Sequence, residues 1–465
     1  MNIGNLHSVH FLGIGGIGMS ALARWFNHVG IKVSGYDKTP SPLTEALEAE
    51  GMQISFEDKM ETVPARVLED KNHVLIVWTP AMPKDSTQLN FFQSQGYDIK
   101  KRAAVLGLIT ADLPSIAVAG THGKTTTSSM VAHLLKSGGK NIAAFLGGLT
   151  QNYNSNLILH DEAGGQPTVV VEADEFDRSF LHLHPNTAVV TSADPDHLDI
   201  YGDPEHLLDG FRKFVNLLPQ GGNLYIHSKA FEKLGLGRGE RFQIQQYGIQ
   251  SGEIQARNIQ PGPASFSFDY VGKGKNIEGL KLFMPGFHNV ENALAAVSIA
   301  LDWGISEEKV REGLASFRGV KRRFEIWVQE DDRVFIDDYA HHPEEIRAFL
   351  GSVKAMYPSK KLTAVFQPHL FTRTRDFAEG FSESLSIADE VVLLEIYPAR
   401  ELPIAGVNAS MLLPAITSPR KSLQTKENLL RYLSENRPEV LVTIGAGDID
   451  RLVGPIAKWM KEHEN

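Results

Sequence analysis

Short apolar runs ending in glycine or polar residues alternate along this chain with stretches of helical spacing. Val9-His-Phe-Leu-Gly-Ile-Gly15 opens the series and predicts a buried strand. Residues 17–29 follow with Met19, Leu22, Ala23 and Phe26 on one helical face, and 33–37 predict a second strand. Strands at 74–78 and near Ile99, with helices between, continue an alternation that builds a parallel sheet. A second unit opens near Pro114, with strands at 115–119, 168–172 and 188–192 and a helix over 126–135. Between 242 and 284 the period shortens to two, broken by Gly and Pro turns, which predicts a small β excursion. An alanine-rich helix follows over 289–301. The third unit opens near Gly319 with a hairpin, Ile326-Trp-Val and Val334-Phe-Ile-Asp337 about Glu330-Asp-Asp-Arg333. Strands at 362–366, 390–394 and 439–444 complete it, so the pattern reads as three α/β units in tandem.

Composition narrows this picture. The 465 residues correspond to about three domains of ~150 residues. Hydrophobic residues at 42% and charged residues at 22% match a globular protein and exclude disorder and fibrous repeats. Lys plus Arg is 46 against 56 for Asp plus Glu, a net charge of −10, which carries no global attraction for nucleic acid. The chain has no cysteine, which removes disulfides, thiolate metal sites and cysteine nucleophiles and leaves oxygen and imidazole as metal ligands. The first 18 residues lack a basic n-region and carry glycine breaks, so no signal peptide is expected. No apolar run is long enough to insert in a membrane, and a cytoplasmic protein is expected.

Two glycine loops carry the chemistry. Gly13-Ile-Gly15-Gly16-Ile17-Gly18 fits G-x-G-x-x-G between strand and helix, with Asp37 nineteen residues on. Such a loop brings a pyrophosphate to backbone amides, and the acid can bond a ribose hydroxyl. NAD and a UDP-sugar satisfy it equally, and a tight turn without ligand is the bland alternative. Gly120-Thr121-His122-Gly123-Lys124-Thr125-Thr126 has the reactive end of a P-loop, although Val118 stands where the general pattern has glycine. Backbone amides there cradle phosphates, Lys124 reaches the β and γ groups, and Thr125 offers a hydroxyl to Mg²⁺. A dehydrogenase has no need of this second loop. Glu172-Ala-Asp174-Glu175 and Asp194-Pro-Asp196-His197 each follow an apolar strand, where an open parallel sheet binds its ligands. Their hard oxygens and one imidazole suit Mg²⁺ or Mn²⁺; loop capping is the commoner role of a single such acid.

These motifs resemble the Mur ligases, the ATP-dependent amide-forming enzymes of peptidoglycan synthesis. The resemblance rests on the P-loop, on Glu172-Ala-Asp-Glu, Asp196-His-Leu-Asp199, Gly286-Phe-His-Asn-Val-Glu-Asn292-Ala and Asp337-Asp-Tyr-Ala-His-His-Pro343. It runs from Phe11 to about Asp448. Phe317-Arg-Gly-Val-Lys-Arg-Arg-Phe-Glu325, Phe366-Gln-Pro-His369 and Tyr397-Pro-Ala-Arg-Glu401 narrow it to members that attach the first amino acid. The implied substrates are UDP-N-acetylmuramate and L-alanine, with ATP and Mg²⁺ and an acyl phosphate between them. A member adding a peptide or another amino acid to the same UDP-sugar is the alternative. The implied layout is a UDP-sugar-binding Rossmann-like domain (1–111), a central P-loop ATPase-type domain with the β excursion (112–318), and a Rossmann-like closing domain (319–465). A monomer or homodimer is expected.

The resemblance also implies roles. Gly120, Thr121, Gly123, Lys124, Thr125 and Thr126 would hold ATP phosphates, with His288 and Asn292 at the adenine, Asp338 at the ribose and Arg323 on phosphate. Thr125 and Glu172 would ligate one Mg²⁺ and His197 a second. Gly15, Gly16, Ile17, Gly18, Asp37 and His122 would face the UDP-sugar. Tyr339, His341 and Arg373 would face the amino acid, with His341 a candidate base. Lys213 lies near the place of a carbamylated lysine in many relatives but is left out of the site. The plain alternatives are a His342–Pro343 helix cap, an Arg375–Asp376 ion pair, and a solvated surface run at Lys100-Lys-Arg102.

Overall fold

The computed structural model describes residues 3–160, 164–194, 203–237, 241–399 and 401–462. Three sheets organise it. The first runs β3-β2-β1-β4-β5, from β1 (Ser8–Leu12), β2 (Lys32–Tyr36), β3 (Gln53–Ser55), β4 (Val74–Trp78) and β5 (Asp98–Lys101). Every pairing in it is parallel. The order reverses at β1, so the first glycine loop leaves the sheet at its topological switch point.

The second sheet centres on β6 (Ser115–Ala119), with β7 (Ile142–Thr150), β8 (Ser155–His160), β9 (Thr168–Glu172), β10 (Thr187–Val190), β11 (Asn223–His227) and β12 (Gln243–Gly248). Strands β9 and β10 flank β6 in parallel, and registers Val118↔Glu172 and Ala119↔Val190 bring their carboxyl ends level. The start of β13 (Ile254–Gly262) pairs with β12, and β14 (Ser265–Gly272) with β15 (Lys275–Leu282) forms the antiparallel part of the predicted excursion. The third sheet runs β16-β17-β21-β18-β19-β20, from β16 (Glu325–Gln329), β17 (Val334–Asp338), β18 (Leu362–Phe366), β19 (Glu390–Leu393), β20 (Arg420–Leu423) and β21 (Val440–Ile444). Only its β16–β17 hairpin is antiparallel.

By contact the chain forms two compact units, 1–255 with 294–313, and 256–293 with 314–465. Inside the first, one apolar core joins Phe11, Leu22 and Phe26 to Val171, Val190 and Phe211, so the first two sheets share their burial. Asn156, fully buried on β8, donates to the Ile17 carbonyl and to Ser20 Oγ at 2.9 Å and accepts from Arg24 at 2.5 Å. The second unit packs Phe335, Val365, Val392 and Leu441 under the helices Lys426–Asn436 and Asp450–Glu462. No helix among the described residues is long and apolar enough to cross a membrane.

Candidate active site

Strand β6 is wholly buried and delivers the second glycine loop to the helix Lys124–Ser137. Gly120 takes φ +137° and Gly123 φ +81°, conformations that L side chains rarely adopt, and a Cβ on Gly120 would collide with Thr191 Oγ1. The stretch after β10 clamps the loop. Ser192 Oγ accepts from the His122 amide at 2.7 Å and lies 2.9 Å from Thr121 Oγ1, which accepts from the Asp194 amide at 3.0 Å. Neither Thr191 nor Ser192 is singled out by the sequence; their only signal is polarity at a strand end.

Lys124 Nζ donates to the Gly120 carbonyl at 2.6 Å and to Glu175 Oε1 at 2.9 Å, with Glu175 Oε2 at 2.8 Å. Burial alone would lower the Lys124 ammonium, but Glu175, Asp174 and Glu172 hold it above its usual value. Glu175 has no exposed surface, and burial raises its carboxyl despite the lysine. The four-residue acidic cluster thus divides its work. Glu175 is the counter-ion of the loop lysine, while Glu172, at the end of β9, accepts from the Gly147 amide at 3.0 Å through one oxygen. Thr125 stands in the first turn of the helix Lys124–Ser137, 8% exposed. Asp196 and His197 lie outside the described residues. Lys213 pairs with Asp209 at 2.7 Å on an exposed helix face.

At the first loop, the amides of Gly13 and Ile14 donate to the Tyr36 carbonyl. Asp37 accepts from the Gly15 amide at 2.7 Å and the Thr39 amide at 3.2 Å, so the acid closes the loop that it follows. Gly16 and Ile17 then enter the helix Ile17–His28, with Gly16 as an extended N-cap. His122 Nε2 stands 3.9 Å from Asp194 Oδ2. Lys100 pairs with Asp98 and Lys101 is exposed, as a surface run should be, but Arg102 differs. Its guanidinium covers Gly18.

The remaining expected residues fall in the second unit. The sheet there separates the members of the Lys321-Arg-Arg323 run. Lys321 is exposed; Arg322 is spent on Asp337 at 3.3 Å and the Gly445 carbonyl at 2.6 Å. Among the described residues Arg323 makes a long contact, 3.9 Å, with Glu345 and lies over the Tyr339 ring at 5.0 Å. Asp338 is buried and accepts from the Phe324 amide at 2.7 Å and the Ala340 amide at 2.8 Å. Burial pushes its carboxyl up to about 6 against the pull of Arg323. His288 is 6.5 Å from the Phe324 ring, and Asn292 Nδ2 donates to Asn289 at 3.3 Å.

Carboxyl ends of β17 and β18 carry a chain of rings. Tyr339 to His341 is 5.4 Å, His341 to His369 6.1 Å, and His369 stacks on Tyr397 at 5.8 Å. His369 and Tyr397 belong to stretches quoted above without a role; only the fold gathers them. Burial and the charge of Arg373 lower both His341 and His369 to about 4, outweighing Glu345 and Glu401. The buried His369 Nδ1 has no hydrogen-bond partner among the described residues. His342 caps the helix Pro343–Met356, and the exposed Arg375 pairs with Asp376 at 2.7 Å, the plain alternative in both cases.

Strand order and loops together define a three-sheet α/β protein built to hold nucleotide phosphates. Three family models match along it: the Mur ligase family catalytic domain over 8–113, the Mur ligase middle domain over 118–300, and the Mur ligase glutamate ligase domain over 322–447. The chain belongs to the Mur ligase family. It is 46% identical to the UDP-N-acetylmuramate–L-alanine ligase of Cytophaga hutchinsonii over 462 residues, covering 98% of this chain and 97% of that one. Identity to the ligase of the same name from Porphyromonas gingivalis is 47% over 454 residues, 97% and 99% of the two chains. Among solved structures, the UDP-N-acetylmuramate–alanine ligase of Thermotoga maritima superposes with a TM-score of 0.80 at 29% identity, covering 98% and 100%. A murein peptide ligase from Psychrobacter arcticus shares the fold at TM-score 0.67 and 23% identity, covering 99% and 100%.

Proposed function

We propose that this protein joins L-alanine to the lactyl carboxylate of UDP-N-acetylmuramate in the cytoplasm, converting ATP to ADP and phosphate. The observation that carries the reading is the loop lysine Lys124 paired with the fully buried Glu175, in a chain matching ligases of that name over nearly its full length.

A carboxylate does not condense with an amine at neutral pH, because its leaving group is poor. Transfer of the γ-phosphoryl group to the lactyl carboxylate makes an acyl phosphate, whose leaving group is phosphate. Gly120, Thr121, Gly123 and Thr126 present the loop to the ATP phosphates, and Lys124 exchanges Glu175 for the γ-phosphate as its counter-ion. Arg323 is assigned to phosphate, Asp338 to the ribose, and His288 and Asn292 to the adenine. Thr125 and Glu172 are assigned to one Mg²⁺, for which their hard oxygens are a fitting donor set, and His197 to a second ion. Bound there, Mg²⁺ neutralises phosphate charge. Gly15, Gly16, Ile17, Gly18, Asp37 and His122 are assigned to the UDP-sugar.

The amine must attack as the neutral base. His341 donates through Nδ1 to the Tyr339 carbonyl at 3.1 Å, which leaves Nε2 as an acceptor on an imidazole that is neutral at pH 7. With its ring near 4, His341 suits orientation of the amine better than long-term custody of its proton. Tyr339 and His369 flank the His341 ring at 5.4 and 6.1 Å, and Arg373, whose charge acts on both histidines, is assigned to the amino-acid carboxylate.

ADP release, measured with UDP-N-acetylmuramate against a panel of amino acids and peptides, tests the reading. Release should require L-alanine or a close analogue, and ¹⁸O should pass from the sugar carboxylate into phosphate. Turnover only with a peptide, or no ¹⁸O transfer, would sink it.

A further inference from the structure

Arg102 belongs to a run that the sequence marks as solvated surface, yet the fold puts it elsewhere. It opens the helix Arg102–Asp112 after β5 and lays its side chain across Gly18, the third glycine of the first loop. A Cβ at Gly18 would stand 3.0 Å from both Arg102 Cδ and Cζ and would collide with the guanidinium. The missing side chain at 18 is therefore what admits an arginine onto the first turn of the helix Ile17–His28. That turn is where backbone amides have no partner within the helix.

On its other side Arg102 Nη2 is 3.5 Å from Asp174 Oδ2, longer than a formed charge-assisted bond, with both side chains about one-third exposed. Arg102, Asp174 and Glu172 line one small cavity, so the cation borders both the first loop and the acidic cluster beside the P-loop. A planar fork of five donors, held among the described residues by one long contact, is poised for a second anion. Through Gly18 the guanidinium adjoins the first loop, whose backbone amides can share that anion.

We propose that Arg102 grips the diphosphate of the sugar-nucleotide substrate, trading its long contact with Asp174 for a bidentate pair with phosphate oxygens. This rests on the sugar-nucleotide reading of the first loop. It assigns Arg102 to substrate binding and gives Gly18 a reason beyond helix packing.

Calorimetric titration of the full chain with UDP, UDP-N-acetylmuramate and ADP tests it, using wild type, Arg102→Ala and Arg102→Lys. Arg102→Ala should weaken UDP and UDP-N-acetylmuramate by the same factor, about 10- to 100-fold, as the loss of a charged hydrogen-bond pair predicts. Arg102→Lys, which keeps charge without the fork, should recover only part of that loss. ADP affinity should stay within about twofold. Thermal melting checks that both variants are folded, and the lysine variant carries the test if the alanine one is not. Unchanged UDP affinity with weakened UDP-N-acetylmuramate would place Arg102 at the lactyl carboxylate and overturn the proposal, as would no change in either. A wild-type chain that binds neither ligand overturns the sugar-nucleotide reading itself, and the arginine assignment with it.

Discussion

Lys124 is surrounded by charge before any nucleotide arrives. Its ammonium, little exposed, pairs with the fully buried Glu175, an arrangement that is costly to break from one side because the remaining charge is poorly hydrated. Glu175→Ala should therefore lower stability by about 3 kcal/mol, and ADP should restore more melting temperature to that variant than to wild type. Lys124→Ala should cut ADP release by at least ~10²–10³-fold while UDP-N-acetylmuramate binding stays within about twofold. Asp338 gives a pH signature in the second unit. Burial raises its carboxyl to about 6, against about 4 in the unfolded chain, so the folded state holds the proton more tightly. The stability it adds is full below about pH 4 and is lost as pH rises to about 6, a change of about 3 kcal/mol. In urea melts, the stability of wild type relative to Asp338→Asn should fall by about 3 kcal/mol over that window and be flat above pH 7.

At the scale of elements, the strand–loop–helix from β6 to the helix Lys124–Ser137 was legible because its local signals agree: an apolar run, two glycines, then helical spacing. The clamp was not legible. Thr191 and Ser192 follow Val190 some seventy residues away, and nothing local says that β10 pairs beside β6. Strands β7 and β8 escape the pattern for a related reason. Ile-Ala-Ala-Phe-Leu-Gly-Gly lacks clean alternation, and its strand character comes from pairing with β9 and, across the turn at 151–154, with β8. Gly120→Ala places a Cβ against Thr191 at φ +137° and should destabilise by more than about 2 kcal/mol and abolish nucleotide binding. Gly351→Ala, in open space inside the helix Pro343–Met356, should instead stabilise by about 0.5–1 kcal/mol in the same melts.

Over the whole molecule, three sheets resolve into two compact units because the first two sheets share one core. Asn156 pins that junction, and its partners on the helix Ile17–His28 lose satisfaction if it is removed. Asn156→Ala should cost about 2 kcal/mol in chemical denaturation, with sugar-nucleotide binding falling alongside because the same helix follows the first loop. The α/β class, the two glycine loops, the carboxylates after β9 and the family resemblance are legible in the sequence alone. All of these are written in contiguous residues whose backbone chemistry is local. Tertiary structure alone shows that Glu175 pairs with Lys124, that Arg322 rather than Arg323 is engaged by Asp337 and the Gly445 carbonyl, that His369 joins His341, and that Arg102 lies on Gly18. Each of these depends on which distant strands become neighbours, and pairing between strands is set by shared burial rather than by any residue's own spacing.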